Sequence, residues 1–206
     1  MDVPRLDLNL EENDPNIPCD FVGQNNFKDR LLDYRDNFSF SLLNFNVRSC
    51  RKNFPLLLAY LTQLVFNFSL IVLTESWLTI DIDHGFDIPQ YNQLNIYRNS
   101  HGGGIKVYYH HTFDTQIIDA LTYVSDMMEV LTFWLIGGSF KYLICCLYRP
   151  PSVNPLHFND AFENYLSLLP ENSKIFHDMN INLFNPQNFN YVDVFITDLI
   201  SLNFSH

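Results

Sequence analysis

Two carboxylates in this sequence, Glu75 and Asp178, each come directly after a short segment with strand character, at residues 69–74 and 174–177. Asn46 ends another apolar run, Tyr148 ends a further one, and Asn180 lies two residues beyond Asp178. Side chains two positions apart in extended backbone point to the same side, so Asp178 and Asn180 would face one pocket. Carboxylate and amide oxygens are the ligands that suit Mg²⁺, or Mn²⁺ in its place, with part of the water shell retained. These residues therefore predict an oxygen-lined divalent-metal site.

The first half of the chain contains elements that can position Asn46 and Glu75. Residues 38–45 predict a strand, residues 54–65 a helix with Asn53 as N-cap and Pro55 in its first turn, and residues 69–74 a second strand. A helix between two strands favours a parallel pair, because antiparallel neighbours need no such crossover. In open α/β sheets, ligands bind beyond the carboxyl ends of the strands, where Asn46 and Glu75 would lie.

The second half of the chain contains further strand signals. The run Gly102–Gly104 precedes a predicted strand at 105–110, and reads as a turn into that strand because no helix follows it. Residues 130–136 and 140–148 are apolar runs separated by a glycine pair, which is typical of a hairpin. The second of these runs is apolar on both alternating faces, as in the central strand of a layered domain.

A helix and another strand follow the hairpin. Asn154 and Pro155 have the N-cap and first-turn character of a helix that ends before Pro170. Its apolar stripe comprises Phe158, Phe162, Leu166 and Leu169. A strand at 174–177 and a helix-like segment at 191–202 complete the order. The alternation of strands and helices predicts an α/β or α+β domain with sheets buried under helices.

Composition and charge narrow the class of protein. Hydrophobic residues make up 47% of the 206 residues, which indicates a folded domain. The formal net charge is −11, which weakens any expectation of binding to a phosphate backbone. The four cysteines show no CxxC or Cys/His spacing, so no zinc site is expected, and Cys145 and Cys146 are interpreted as buried strand residues. Nothing at the N-terminus resembles a secretory signal, so an intracellular setting is expected.

The stretch 53–74 has no charged residue and is long enough for a transmembrane helix. Its polar residues Thr62, Gln63, Asn67 and Ser69 favour instead the helix and strand described above, and no membrane association is expected. Residues 1–36 are acidic and polar and are interpreted as a leader, while residues 37–206 are assigned to a single domain. The oligomeric state is left open.

Five segments, in order and in approximate spacing, resemble those of non-LTR retrotransposon endonucleases in the endonuclease/exonuclease/phosphatase superfamily. They are Leu43-Asn-Phe-Asn-Val-Arg-Ser49, Ile71-Val-Leu-Thr-Glu-Ser-Trp-Leu78, Gly102-Gly-Gly-Ile105, Leu147-Tyr-Arg-Pro-Pro-Ser152 and His177-Asp-Met-Asn-Ile-Asn182. The resemblance covers roughly residues 36–186. It implies two sheets packed face to face and flanked by helices, a nuclear role, and metal-dependent hydrolysis of DNA phosphodiester bonds.

The resemblance also implies a role for each site residue. Glu75 would bind the metal, and Asn46 would lie close to the metal and the scissile phosphate. Tyr148 would contact the phosphate, Asp178 would position or activate the attacking water, and Asn180 would support the phosphate and the transition state. The chemistry would be metal-assisted attack of water, with metal and amides stabilising the developing oxyanion.

The sequence also departs from the family pattern. His177 replaces the glycine before the aspartate and Met179 the aromatic residue after it. The family's C-terminal Ser-Asp-His segment has no counterpart here, and Phe204-Ser205-His206 lacks the aspartate. We therefore expect a domain that is C-terminally truncated and inactive as a nuclease, because loss of one member of a cooperating set removes most of the rate.

Two alternative functions stay open. One is a catalytically dead remnant that has no activity or only a binding role, which the missing segment and the acidic charge favour. The other is an inositol-phosphate or lipid phosphodiesterase of the same superfamily, which the Tyr148-Arg-Pro-Pro and Thr74-Glu-Ser-Trp segments disfavour.

Overall fold

The computed structural model describes residues 24–34, 40–98, 102–138, 140–170 and 173–178. Within these residues the α-helices are α1 Gln24–Tyr34, α2 Cys50–Leu64 and α3 Pro155–Leu166. The strands are β1 Leu42–Asn46, β2 Leu70–Thr74, β3 Tyr91–Ile96, β4 Ile105–His110, β5 Asp114–Ile117, β6 Tyr123–Val124, β7 Glu129–Gly137, β8 Phe140–Tyr148 and β9 Lys174–Asp178. Short 3₁₀ helices span Ile80–Ile82 and Asp119–Leu121.

The first sheet has the strand order β1-β2-β4-β3. Strands β1 and β2 are parallel, from Leu42 opposite Leu70 to Asn46 opposite Thr74, and α2 forms the crossover between them. The predicted strand–helix–strand unit with a parallel pair is therefore confirmed, and so is the strand at 105–110. Strand β4 lies antiparallel to both β2 and β3.

The second sheet has the order β5-β7-β8-β9, with β6 also paired to β7. The predicted hairpin is confirmed as β7 and β8, which pair from Glu129 opposite Tyr148 to Gly137 opposite Phe140. Strand β9 is parallel to β8 and places Asp178 opposite Tyr148. Each sheet thus contains one parallel pair, and the carboxyl ends of both pairs carry predicted site residues.

Alternating side chains build the layers of the domain. In β8, Ile144, Cys146 and Tyr148 belong to an apolar cluster with residues of β2, β4 and β7, so this cluster fills the space between the sheets. The alternate residues Leu143, Cys145 and Leu147 pack against α3.

The first sheet follows the same rule. Its Leu70 and Val72 join the cluster between the sheets, whereas Ile71 and Leu73 pack on the α2 side, which Phe27 and Leu31 of α1 also cover. Because side chains in a strand alternate between two faces, each sheet is buried on both. The predicted α/β class, a two-sheet sandwich flanked by helices, is confirmed.

The start of the first segment differs from the prediction. Strand β1 begins at Leu42 rather than at residue 38, and α2 begins at Cys50, so Asn53 is not an N-cap. The residue before the helix is Ser49, and the Asn53 side chain instead donates to the carbonyls of Val47 and Arg48 at 2.8 and 3.0 Å. Bonds from the Ser49 and Cys50 amides to the loop after β2 start the helix earlier than the Asn-Phe-Pro sequence suggested.

Pro55 lies inside α2 rather than in its first turn. It has no N–H to donate to the Arg51 carbonyl four residues earlier, so this intrahelical hydrogen bond of α2 cannot form.

The helix after the hairpin follows its prediction closely. Pro155 is its first residue, and the Asn154 side chain accepts a 2.9 Å hydrogen bond from the Leu156 amide. Phe158, Phe162 and Leu166 are buried as the predicted stripe. The uncharged stretch 53–74 forms most of α2 and all of β2, and no helix among the described residues is long and apolar enough to cross a membrane. Asn180 and the helix predicted at 191–202 lie outside the described residues.

Candidate active site

Asn46 connects two acidic side chains that come from different sheets. Its Nδ2 atom donates to Oε1 of Glu75 and to Oδ2 of Asp178, each at 2.8 Å. Asn46 ends β1, Glu75 follows β2, and Asp178 ends β9, so the carboxyl ends of both parallel pairs meet at one point. Because both bonds share one nitrogen atom, the two carboxylate oxygens are no farther apart than two hydrogen-bond lengths.

Asp178 has a second donor, which the sequence reasoning missed. The hydroxyl of Thr74, the last residue of β2, donates to Oδ2 of Asp178 at 2.8 Å. Thr74 is 1% exposed, and a buried hydroxyl normally requires a partner. Its place directly before Glu75, opposite Asn46 in the parallel register, was the signal in the sequence that could have revealed it.

Glu75 lies at the floor of the site on a constrained loop. It is 9% exposed, and its φ of 53° places it in the left-handed region, which a non-glycine residue adopts only under constraint. The Glu75 carbonyl accepts the Ser49 amide at 2.8 Å, which joins this loop to the start of α2. The loops that follow the two parallel strands therefore fix each other.

Tyr148 contributes a phenol to the same carboxyl-end edge. It is 2% exposed and hydrogen-bonds Glu75. Burial raises the pKa of Tyr148 above its ordinary value, and the negative charge of Glu75 raises it further. The phenol is therefore protonated at neutral pH and can donate a hydrogen bond to an anion.

Glu129 is a buried acid that the sequence reasoning also missed. It is the first residue of β7 and lies opposite Tyr148, with an exposure of 0%. Its carboxylate accepts the Gly104 amide at 2.6 Å and pairs with Arg98 at 3.3 Å. Burial raises the pKa of Glu129, while the Gly104 amide and Arg98 oppose that rise. An acid directly before a long apolar strand was the only signal available in the sequence.

Arg149 supports the loop after β8. Its guanidinium donates to the carbonyls of Pro150 and Val153 and lies over the Phe158 ring, so it anchors the Pro-Pro turn. Exposed cations near the site come from the loop and helix after β1, at Arg48, Arg51 and Lys52.

The donor set is compatible with a hard divalent cation. Among the described residues no group of three His, Cys, Asp or Glu side chains is placed to hold a metal. Two neighbouring carboxylates and an amide suit the coordination of Mg²⁺, which binds one or two carboxylates and keeps several waters. Glu75 is the residue best placed to hold such an ion, with Asp178 facing it across Asn46.

The two face-to-face mixed sheets flanked by helices match the fold of solved endonuclease/exonuclease/phosphatase structures. The endonuclease domain of TRAS1, a telomere-specific non-LTR retrotransposon, matches with a TM-score of 0.56 and 10% identity over 79% of this chain and 70% of that one. An AP endonuclease from Leishmania major matches with a TM-score of 0.55 and 15% identity, covering 80% and 67%. The 3′ phosphatase NExo from Neisseria, bound to a product DNA hairpin, matches at 0.53 with 11% identity, covering 80% and 71%. No family model and no curated protein matches the sequence.

Proposed function

We propose that this chain is a divalent-metal-dependent phosphodiesterase domain of the retrotransposon endonuclease type, acting on DNA. The observation that carries the proposal is the Asn46 amide, which brings Glu75 and Asp178 from separate sheets into one site. The solved structures that resemble this chain are two endonucleases and a phosphatase, which supports a phosphate ester as its substrate.

Each residue has a chemical task in this proposal. Mg²⁺ held by Glu75 would neutralise charge on the phosphate and on the leaving oxygen. Once the ion engages the Glu75 carboxylate, the Tyr148 hydroxyl would turn from Glu75 and donate to a non-bridging phosphate oxygen, where negative charge grows in the transition state. Asp178 accepts a hydrogen bond from the attacking water and can take its proton. Asn46 and Thr74 hold Asp178 in the orientation that this step requires.

A second candidate is a catalytically silent domain that keeps the metal site and only binds. Two observations favour it: the net charge of −11, and the replacement of the family's glycine and aromatic residue by His177 and Met179 on either side of Asp178. An acidic surface weakens attraction to a polyanion and slows its association.

Two measurements on the same samples separate the candidates. Mn²⁺ binding is followed by electron paramagnetic resonance, and nicking of supercoiled plasmid is followed on gels with Mg²⁺ or Mn²⁺. The variants are Glu75→Gln and Asp178→Asn, with Glu163→Gln on the exposed face of α3 as a control for the same chemical change.

The phosphodiesterase proposal expects Mn²⁺ binding that Glu75→Gln abolishes, and nicking that both site variants remove while Glu163→Gln retains it. Glu75-dependent Mn²⁺ binding without nicking above the Asp178→Asn background would assign the chain to the binding-only candidate. Wild-type protein that binds no Mn²⁺, or binds it equally well as Glu75→Gln, would refute the metal site.

A further inference from the structure

The three glycines before β4 form a backbone receptor for the loop that carries Glu75. The carbonyl of Gly104 accepts the Ser76 amide at 3.1 Å, and the carbonyl of Gly103 accepts the Trp77 amide at 2.9 Å. Gly102, Gly103 and Gly104 have φ values of 96°, 72° and 85°, a conformation that side chains disfavour. The glycine run thus lets the chain turn its carbonyls toward the two residues after Glu75.

The loop after β2 needs such support. Glu75 and Trp77 have φ values of 53° and 54°, and neither is a glycine. Left-handed backbone at bulky residues costs free energy and persists only where the surroundings impose it. The two hydrogen bonds to the glycine run are contacts of the required kind, because they fix the peptide units immediately after Glu75.

The Glu129 carboxylate also contacts the glycine run. Its Oε2 atom accepts the Gly104 amide at 2.6 Å, and its Oε1 atom lies 3.3 Å from Arg98. A Cβ atom placed on Gly103 would come within 2.1 Å of Oε1, so the carboxylate occupies the space that a side chain there would need. Glu129 is fully buried, so its contact with the glycine run is not an incidental surface contact.

We infer that Glu129 is a positioning residue for the metal-binding glutamate: its carboxylate clamps Gly103 and Gly104, whose carbonyls in turn fix the backbone on which Glu75 is presented. That Glu75 binds a metal rests on the proposed function. That Glu129 fixes the backbone near Glu75 rests on the hydrogen bonds above. The acid at the start of β7 thus belongs to the site without a contact with metal or substrate.

Two conservative variants of Glu129 test separately the length of its side chain and its negative charge. Glu129→Gln keeps the length of the side chain and an oxygen that can accept from the Gly104 amide, but loses the charge and the oxygen that accepts from Arg98. Glu129→Asp keeps the charge but is one methylene too short to reach that amide. Gly103→Ala disturbs the same contact from the glycine side. Thr132→Val is the control, because Thr132 lies on the same strand, is equally buried and bonds the Leu121 carbonyl and Tyr165 instead.

Amide hydrogen exchange of Ser76 and Trp77, measured by NMR on the full chain without metal, reads the clamp directly. We expect exchange about tenfold faster in Glu129→Asp and Gly103→Ala, with Glu129→Gln and Thr132→Val close to wild type. Mn²⁺ affinity should fall about tenfold in the first two variants only, as is usual when an outer-shell partner is lost.

Unchanged exchange at Ser76 and Trp77 in Glu129→Asp would overturn the inference. So would a Glu129→Gln variant that loses Mn²⁺ as fully as Glu75→Gln, because that result makes Glu129 a metal ligand rather than a clamp. The exchange measurement needs no metal. Failure of Glu75-dependent Mn²⁺ binding in wild type therefore refutes the proposed function separately and leaves the clamp to be decided by exchange.

Discussion

Asn46 and Asp178 are 132 positions apart in the chain, and a 2.8 Å hydrogen bond joins the amide of one to the carboxylate of the other. The first ends a strand of one sheet and the second ends a strand of the other sheet. The site therefore exists only when the two sheets are packed together.

Divalent metal should stabilise the folded chain through Glu75. Two carboxylates held beside one amide repel each other, and a cation between them relieves that repulsion. At a hundredfold excess over Kd, Mg²⁺ would add about 2.7 kcal/mol, a rise in Tm of roughly 5–10 °C for a chain of this size.

Thermal melts with and without Mg²⁺ measure the effect. Glu75→Gln should melt at or above the metal-free wild type, because one repelling charge is gone, and should show no rise with Mg²⁺. The exposed Glu163→Gln variant should retain the full rise. An equal rise in Glu75→Gln would place the ion elsewhere.

Replacing Thr74 by valine should weaken both stability and the site. The variant keeps the side-chain shape but removes the hydroxyl that donates to Asp178 at 2.8 Å. A hydrogen bond to a charged group contributes about 1.5–3 kcal/mol, so urea unfolding should show a loss of that order, with lower Mn²⁺ affinity.

The matched control is Thr62→Val, since the Thr62 hydroxyl is exposed and bonds the Leu58 carbonyl of its own helix. We expect a change within about 0.5 kcal/mol there. Equal losses in both variants would show that the Thr74 hydroxyl has no special partner.

Local pattern was sufficient to predict much of the fold. The helix and strand within residues 53–74, the β7/β8 hairpin and the Asn154 cap all follow from periodicity and from turn and cap residues close in sequence. Strands β3, β5 and β6 were not predicted, because their polar residues become strands only by pairing with β4 and β7. The early start of α2 has the same cause, since distant loop carbonyls accept the amides of its first turn.

The site residues also differ in how far the local sequence could predict them. Glu75, Asn46, Tyr148 and Asp178 could be proposed because each stands at or just past the end of a predicted strand, and the structure brings these four together. Thr74 and Glu129 bond partners that are far away in sequence. The only local signals were the position of Thr74 directly before Glu75 and that of Glu129 directly before an apolar strand. The catalytic assignment of all these residues stays a prediction, and Asn180 lies outside the described residues.

The thiols of α2 and β8 should be inert in the native protein. Cys50, Cys145 and Cys146 are each 0% exposed. Burial raises the pKa of Cys50 to about 12 and that of Cys145 to about 11, and raises the pKa of Cys146 as well. The thiolate is the reactive form, so at pH 8 almost none is present.

Iodoacetamide labelling at pH 8, analysed by peptide mass spectrometry, tests this. Labelling at the three positions should become fast only in urea concentrations that unfold the chain. Rapid labelling of Cys145 or Cys146 in native buffer would contradict their burial between the layers of the domain.

Removing one charge of the buried ion pair between Lys106 and Asp83 should lower stability more than removing both charges together. Lys106 is fully buried in β4, and its Nζ atom lies 2.7 Å from Oδ1 of Asp83 and 3.1 Å from Oδ1 of Asn95. The other Asp83 oxygen accepts from Tyr97 at 2.7 Å. Removing one partner leaves the other buried without its countercharge, which typically costs about 3–5 kcal/mol.

A double-mutant cycle measured by urea unfolding checks this expectation. Lys106→Met alone should lose about 3–5 kcal/mol. Adding Asp83→Asn should recover a substantial part of it, because the remaining amide no longer carries an unpaired charge. Lys141→Met is the control for the same change at an exposed lysine, which only lies over the Trp134 ring at 4.4 Å, and should lose about 1 kcal/mol or less. Strictly additive losses in the double variant would show that the two charges are not coupled, and the pair would then contribute nothing to holding β4 against the Ile80–Ile82 segment that precedes Asp83.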